Sequence, residues 1–244
     1  MKNILTTILL LIFINNVTCK ELIICKTCDI KTISSGLLLS KAHDTISIKR
    51  GIYNEHDIVI NKPLTIIGNK SIIDANFEGG GFKIYTDSIF IYNLIINNIK
   101  TSYTKDIAAI YAFKVNNFVF ENIEFNYPFF AFLIQKSQNG IIQNNIINGV
   151  AIDEISSGNG IHLWHSKNIR IINNLISQMR DGIYLEFVEN SITQSNISRN
   201  QIRYGLHFMF SDNNLYENNL FENNKSFSNE IISTFLNILI TLLK

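Results

Sequence analysis

From Asn98 to Asn219 the chain repeats itself about every 23 residues, and a period that short decides most of what it can fold into. Asparagines mark the repeat at Asn98, Asn122, Asn145, Asn174, Asn196 and Asn219, with spacings of 24, 23, 29, 22 and 23. Between them lie two apolar runs and a turn, filled with β-branched and aromatic residues. Such a unit is too small for a helical repeat and suits one turn of a stacked β-solenoid.

Within each period the apolar residues alternate, as strands do when one side faces a core. Gly160-Ile161-His162-Leu163-Trp164 aligns with Gly182-Ile183-Tyr184-Leu185-Glu186 and with Gly205-Leu206-His207-Phe208-Met209. Side chains alternate across a strand, so Ile161, Leu163, Ile183, Leu185, Leu206 and Phe208 share one face, the inside of the coil. An asparagine tolerates the left-handed conformation at a corner, and the same residue one coil up continues an amide ladder; a recurring Asn is thus expected as a corner device. The fold predicted for residues 44–224 is a right-handed parallel β-helix, all-β, with about 23 residues per coil.

Composition agrees with one elongated domain. The chain is 46% hydrophobic and 17% charged, with a net charge of +1, which offers no broad basic field for nucleic acid. Residues 1–19 start with Lys2, run apolar from Ile4 to Ile14 and turn polar at Asn15-Asn16. This pattern matches a secretory signal peptide better than a membrane span, which needs about 20 apolar residues, so a periplasmic location is expected. Cleavage after Cys19 and lipidation of Cys19 are both open. Residues 20–43 are expected to cap the open coil, with a short helix over Ser34 to Ala42. Cys25 and Cys28 form a Cys-x-x-Cys pair there, which an oxidising compartment turns into a local disulfide and a soft metal would hold as a dithiolate.

The more specific motif is the triple run Gly158-Asn159-Gly160-Ile161-His162-Leu163-Trp164, Arg180-Asp181-Gly182-Ile183-Tyr184 and Arg203-Tyr204-Gly205-Leu206-His207-Phe208-Met209. It resembles the NosD family, periplasmic β-helix proteins needed to mature nitrous oxide reductase. The resemblance covers about Cys25 to Asn224. It implies an accessory role in denitrification, in assembly of the reductase copper site, together with an ABC transporter permease and ATPase. The departure is at the C-terminus, where residues 225–244 lose the repeat; they are expected to be a helical cap or the product of a truncated or frameshifted reading frame.

By the same alternation His162, Trp164, Tyr184, Glu186, His207 and Met209 point outward together, on rungs about 4.8 Å apart. Imidazole and thioether suit Cu(I), which makes His162, His207 and Met209 the candidate metal residues and Cu(I) the candidate cofactor. Trp164, Tyr184 and Glu186 form the candidate docking patch, for nitrous oxide reductase or a copper chaperone. In the blander reading a loop or partner protein covers the aromatic residues and the histidines are merely hydrogen-bonded. The 29-residue period places an insertion at Gly149 to Gly158, whose Asp153 and Glu154 are expected to lean over the patch. Arg180 and Arg203, at matching corners, are read as braces to Asp181 or to an asparagine ladder.

The rival class is a polysaccharide-binding or polysaccharide-cleaving β-helix. An enzyme of that kind needs clustered carboxylates on one stacked face. Asp153 and Glu154 are adjacent in a loop and Glu186 stands alone among aromatic and imidazole neighbours, so no catalytic activity is expected.

Overall fold

A computed structural model describes residues 19–102 and 104–226. The proposed signal peptide and most of the C-terminal tail lie outside these residues. The described chain is a parallel β-helix: strands return every 20 to 29 residues and pair in parallel with the coil before, as Phe132, Ile161, Ile183 and Leu206 do in succession.

The coil through Ile161 shows how the sequence makes one turn. Three strands, Ile161–Trp164, Lys167–Ile172 and Leu175–Ser177, alternate buried and exposed residues. His165 and Asn173 separate them with φ of 48° and 55°. Further left-handed residues fall at Asn168 and Gln178, giving four such positions in this coil. Asn or Asp enters this region more readily than other non-glycine residues, and Asn occupies one of the four positions in five consecutive coils, as Asn117, Asn139, Asn168, Asn190 and Asn213.

Ile161, Leu163, Ile183, Leu185 and Leu206 are buried as expected, while Phe208 is only partly buried and packs against the core from its edge. Toward the N-terminal side the core turns aromatic. Phe118 stacks on Phe120, and Phe132 contacts both Phe120 and Phe125. Gly140 makes room for this cluster, since a Cβ there would lie 2.0 Å from the Phe118 ring.

The asparagines divide two jobs that the sequence reading gave to one residue. In each Asn-Asn pair the first residue, Asn144, Asn173 or Asn218, takes the left-handed corner. The second turns inward and builds a buried ladder. Asn174 Nδ2 donates to Asn196 Oδ1 at 2.9 Å and to the Ile142 carbonyl at 3.0 Å, while Asn174 Oδ1 accepts from both Asn145 N and Asn145 Nδ2. Asn98 and Asn122 are corner residues followed by Ile99 and Ile123, so the ladder does not extend to them.

The N-terminal end is closed by a helix, Ile33–Leu39, capped at Thr32. Glu55 accepts hydrogen bonds from Ile33 N and Ser34 N at the positive end of this helix, and Lys62 Nζ donates to the Leu37 and Ser40 carbonyls at its other end. Opposite charges at the two ends complement the helix dipole and its unpaired backbone groups. Glu21–Ile24 already pairs in parallel with Thr45–Ile48, so the capping segment also supplies the first rung of the sheet. Cys25 and Cys28 are joined by a disulfide.

Leu185→Asp should prevent folding, because an unpaired buried carboxylate costs several kcal/mol, comparable to a domain's whole stability. Asn174→Ala should cost about 2–4 kcal/mol, since it leaves buried amide and carbonyl groups of two neighbouring coils unpaired. Asn148→Ala, in an outer row of amides, should cost about 1 kcal/mol or less. Urea unfolding followed by circular dichroism checks this order, and equal losses at Asn174 and Asn148 would contradict it.

Candidate functional site

Four consecutive strands of one face carry the site: Phe130–Gln135, Ile161–Trp164, Ile183–Glu186 and Leu206–Met209. Their register aligns His162 with Tyr184 and His207, and Trp164 with Glu186 and Met209, as the repeat alignment requires. The first set forms a stack of rings. His162 and Tyr184 lie 4.5 Å apart, Tyr184 and His207 4.4 Å, and Phe130 extends the column on the far side of His162 at 5.9 Å. Tyr184 therefore separates the two imidazoles by two rungs, roughly 9.6 Å.

The two histidines meet different surroundings. The His162 side chain is 13% exposed, and both ring nitrogens are buried without a hydrogen-bond partner. Burial, reinforced by the charge of Arg180, lowers its pKa to about 4, so at neutral pH it is an uncharged imidazole with a lone pair unused. The Glu186 carboxylate lies 3.5 Å from His162 Nε2. His207 instead joins a brace: its Nδ1 is 3.3 Å from an Arg203 guanidinium nitrogen and 3.6 Å from Asp181 Oδ2. Arg203 Nε donates to Asp181 Oδ1 at 2.8 Å, its second nitrogen pairs with Asp181 Oδ2, and Tyr204 N also donates to Asp181. Burial opposes ionisation of Asp181, but the hydrogen bonds from His207 and Arg203 outweigh it and hold the carboxyl below the usual carboxylate range.

Both arginine corners are braces: Arg203 holds Asp181, as expected, and Arg180 Nε donates at 3.2 Å to Oδ1 of Asn159, a residue outside the asparagine ladder. Asp153 does not lean over the patch. It is exposed, and its carboxylate accepts from Ile155 N, Ser156 N and Ser156 Oγ within its own loop. Glu154 is near enough for its charge to act on Arg203.

The structure thus brings together part of the predicted set. Met209 Sδ accepts from the Tyr184 hydroxyl at 3.3 Å. Burial raises the Tyr184 pKa, followed by the charge of Glu186 and a hydrogen bond to it, which places this hydroxyl between Glu186 and Met209. A neutral imidazole, a carboxylate and a thioether consequently border one phenol, while His207 Nδ1 faces away into the Asp181 brace. Neutral nitrogen with thioether sulfur is a donor set that fits Cu(I). Among the described residues no group of three or more His, Cys, Asp or Glu side chains is placed to hold a metal ion, and His162 and Met209 lie two rungs apart, on either side of Tyr184.

Sequence reasoning missed a second ring column beside this one. Trp164 meets His165 edge-on, His165 stacks on Phe187 at 4.5 Å, and Phe187 stacks on Phe210 at 5.2 Å. These three stacked residues occupy left-handed corners. Their spacings of 22 and 23 residues in phase with the corners were the available signal.

Residues 143–235 match the family described as periplasmic copper-binding protein (NosD), a span that holds His162, Trp164, Tyr184, Glu186, His207 and Met209. This segment is NosD-like in sequence and in its solenoid fold. No curated protein matches the chain. Among solved structures it is similar to the pectate lyase Pel9A, at 11% identity and a TM-score of 0.58, covering 75% of this chain and 55% of that one. The chain thus spans about half the length of that lyase, and the likeness shows the fold alone. A pectin methylesterase from Aspergillus niger aligns at 15% identity over 86% of this chain and 87% of that one, with a TM-score of 0.48.

A pH prediction comes from His162. Its pKa in the folded protein, about 4, lies below the unfolded value of 6.5, so the unfolded state binds the extra proton between these limits. Stability should fall as pH drops from about 7 to about 4, by up to about 3 kcal/mol from this residue, and the loss should level off below that. His162→Phe keeps the stack and should remove that share of the slope. Urea midpoints measured across this range test it, and an unchanged slope would refute the assignment.

Proposed function

We propose that this chain is an exported accessory protein that receives Cu(I) as cargo on its outward face and serves maturation of the nitrous oxide reductase copper site, without catalysis of its own. The observation that carries the reading is the coincidence of the NosD match, residues 143–235, with the strands presenting the unpartnered, uncharged His162 and the thioether of Met209. In this reading His162 offers its lone pair because burial keeps it unprotonated at neutral pH. Met209, 36% exposed, is the point of entry. The Tyr184 hydroxyl occupies the thioether and is the group that must turn aside. His207, held by Asp181 and Arg203, sets the plane of the Tyr184 ring by stacking and acts as a positioning residue.

The partners that fit are the reductase or a copper chaperone at this face, with Trp164 as an aromatic anchor, and an ABC transporter permease whose ATPase drives the cycle from across the membrane. No helix among the described residues is long and apolar enough to cross a membrane.

Anaerobic competition with a Cu(I) chelator tests the site. The double variant His162→Phe, Met209→Leu should bind Cu(I) at least tenfold more weakly than its parent, with circular dichroism unchanged. Both proteins should carry Cys25→Ser and Cys28→Ser, since a reduced thiol pair would otherwise bind the ion. His207→Gln should have a smaller effect. Equal affinities would remove the copper site. In a deletion strain the purified reductase should be short of copper, and release of reducing sugar from pectin by this chain would favour the polysaccharide reading.

A further inference from the structure

On the same outward face, three rungs nearer the N-terminus than His162, lies a cleft of about 500 Å³. Its floor comes from Lys83 and Tyr111, neighbours in register, and Tyr85 stands beside them. A run of three glycines lets the backbone lie flat along one wall: a Cβ at Gly81 would sit 2.2 Å from the Ala109 carbonyl oxygen, and one at Gly80 2.8 Å from that of Ala108. Any side chain there would push the wall away from the strand that starts at Ala108.

The charged groups in the cleft fall into two sets. Lys83 is neutralised by Asp57 at 2.8 Å, and Asp57 also accepts from Gly80 N, so this pair is part of the scaffold. Glu78, Lys100, Lys105 and Asp106 also line the cleft; Glu78 lies 3.5 Å from His56 Nε2, and the other three form no ion pair among the described residues. Tyr85 meets Tyr111 in a T-shaped contact at 6.0 Å and remains half exposed. The cleft thus offers the ammonium groups of Lys100 and Lys105, the carboxylates of Glu78 and Asp106 and an open aromatic surface within the size range of small-ligand sites.

We infer that this cleft binds an acidic saccharide, a pyranose that bears a carboxylate. The C–H face of a sugar ring packs on Tyr85, its carboxylate lies against Lys100 and Lys105, and Asp106 and Glu78 accept from ring hydroxyls. A bare anion would leave Tyr85 idle and give the two carboxylates no hydroxyl to accept from. A neutral sugar would bring no carboxylate to Lys100 and Lys105. The site is separate from the copper residues and does not depend on them.

Isothermal titration calorimetry of the whole chain with trigalacturonate, cellotriose and inorganic phosphate tests this. Trigalacturonate should bind, and more weakly as salt is raised. Cellotriose and phosphate should each bind at least tenfold more weakly. Lys100→Ala with Lys105→Ala, and separately Tyr85→Ala, should each reduce affinity for trigalacturonate at least tenfold while Cu(I) affinity stays unchanged. Absence of trigalacturonate binding overturns the inference, as does equal binding of cellotriose or phosphate, or a lysine double variant that binds like its parent. The Cu(I) measurement on His162 and Met209 tests the copper reading separately, while binding of trigalacturonate would also support a polysaccharide-binding role for the chain.

Discussion

Parallel pairing between successive coils is the constraint on which everything else here rests. It brings each residue within about 4.8 Å of its equivalents one coil up and one coil down. A side chain therefore meets copies of its own position, and a position that cannot tolerate stacking on itself cannot persist. The inner asparagines meet this requirement well: an amide is donor and acceptor at once, so Asn145, Asn174, Asn196 and Asn219 satisfy one another and the backbone groups beside them. The same rule produces the outward columns of rings.

Charge obeys the constraint less easily, and the candidate site follows from that difficulty. Like charges stacked at rung spacing repel, and a buried rung must be neutral or paired. His162 takes the first route and stays uncharged between two aromatic rings. Asp181 takes the second, with Arg203 and His207 drawn from the next coil. One alignment column thus yields a bare imidazole at one rung and a braced one two rungs later. The chemistry of the face depends on this asymmetry, because only the unbraced ring retains an unused lone pair in a buried place.

The repeat was legible in the sequence because it is a property of positions. Spacings of 22 to 24 residues, apolar alternation and the single 29-residue period were enough to place the strands, their inner and outer faces, and the pairing of His162 with Tyr184 and His207. What a side chain does once it points outward was not legible in the same way. His207 and Met209 lie two apart on one strand, which suggested a shared ligand, yet His207 Nδ1 turns to Asp181, 26 positions earlier in the chain, and to Arg203. Only side-chain rotamers decide between those directions. The asparagine pairs misled for a related reason: one letter serves a backbone role at Asn173 and a side-chain role at Asn174, and counting by the marker alone merged Asn122, a corner, with Asn145, a ladder residue.

The corner beside the patch shows how stacking overrides local preference. Left-handed backbone disfavours bulky residues by about 1–2 kcal/mol each, yet in successive coils this corner holds Lys114, Lys136, His165, Phe187 and Phe210. Each lysine lies over an aromatic ring, Lys114 over Phe113 and Lys136 over Trp164, and the later three rings stack on one another. Contacts of either kind contribute about 0.5–1.5 kcal/mol, enough to offset much of the strain without exceeding it. An Asn at these positions, as at the next corner of the same coils, would be the less strained choice. The retained side chains therefore give the face a continuous aromatic and cationic edge that folding alone does not require. That edge runs past Trp164, at the side of the proposed copper residues, and so borders the surface that a partner would cover in the proposed function.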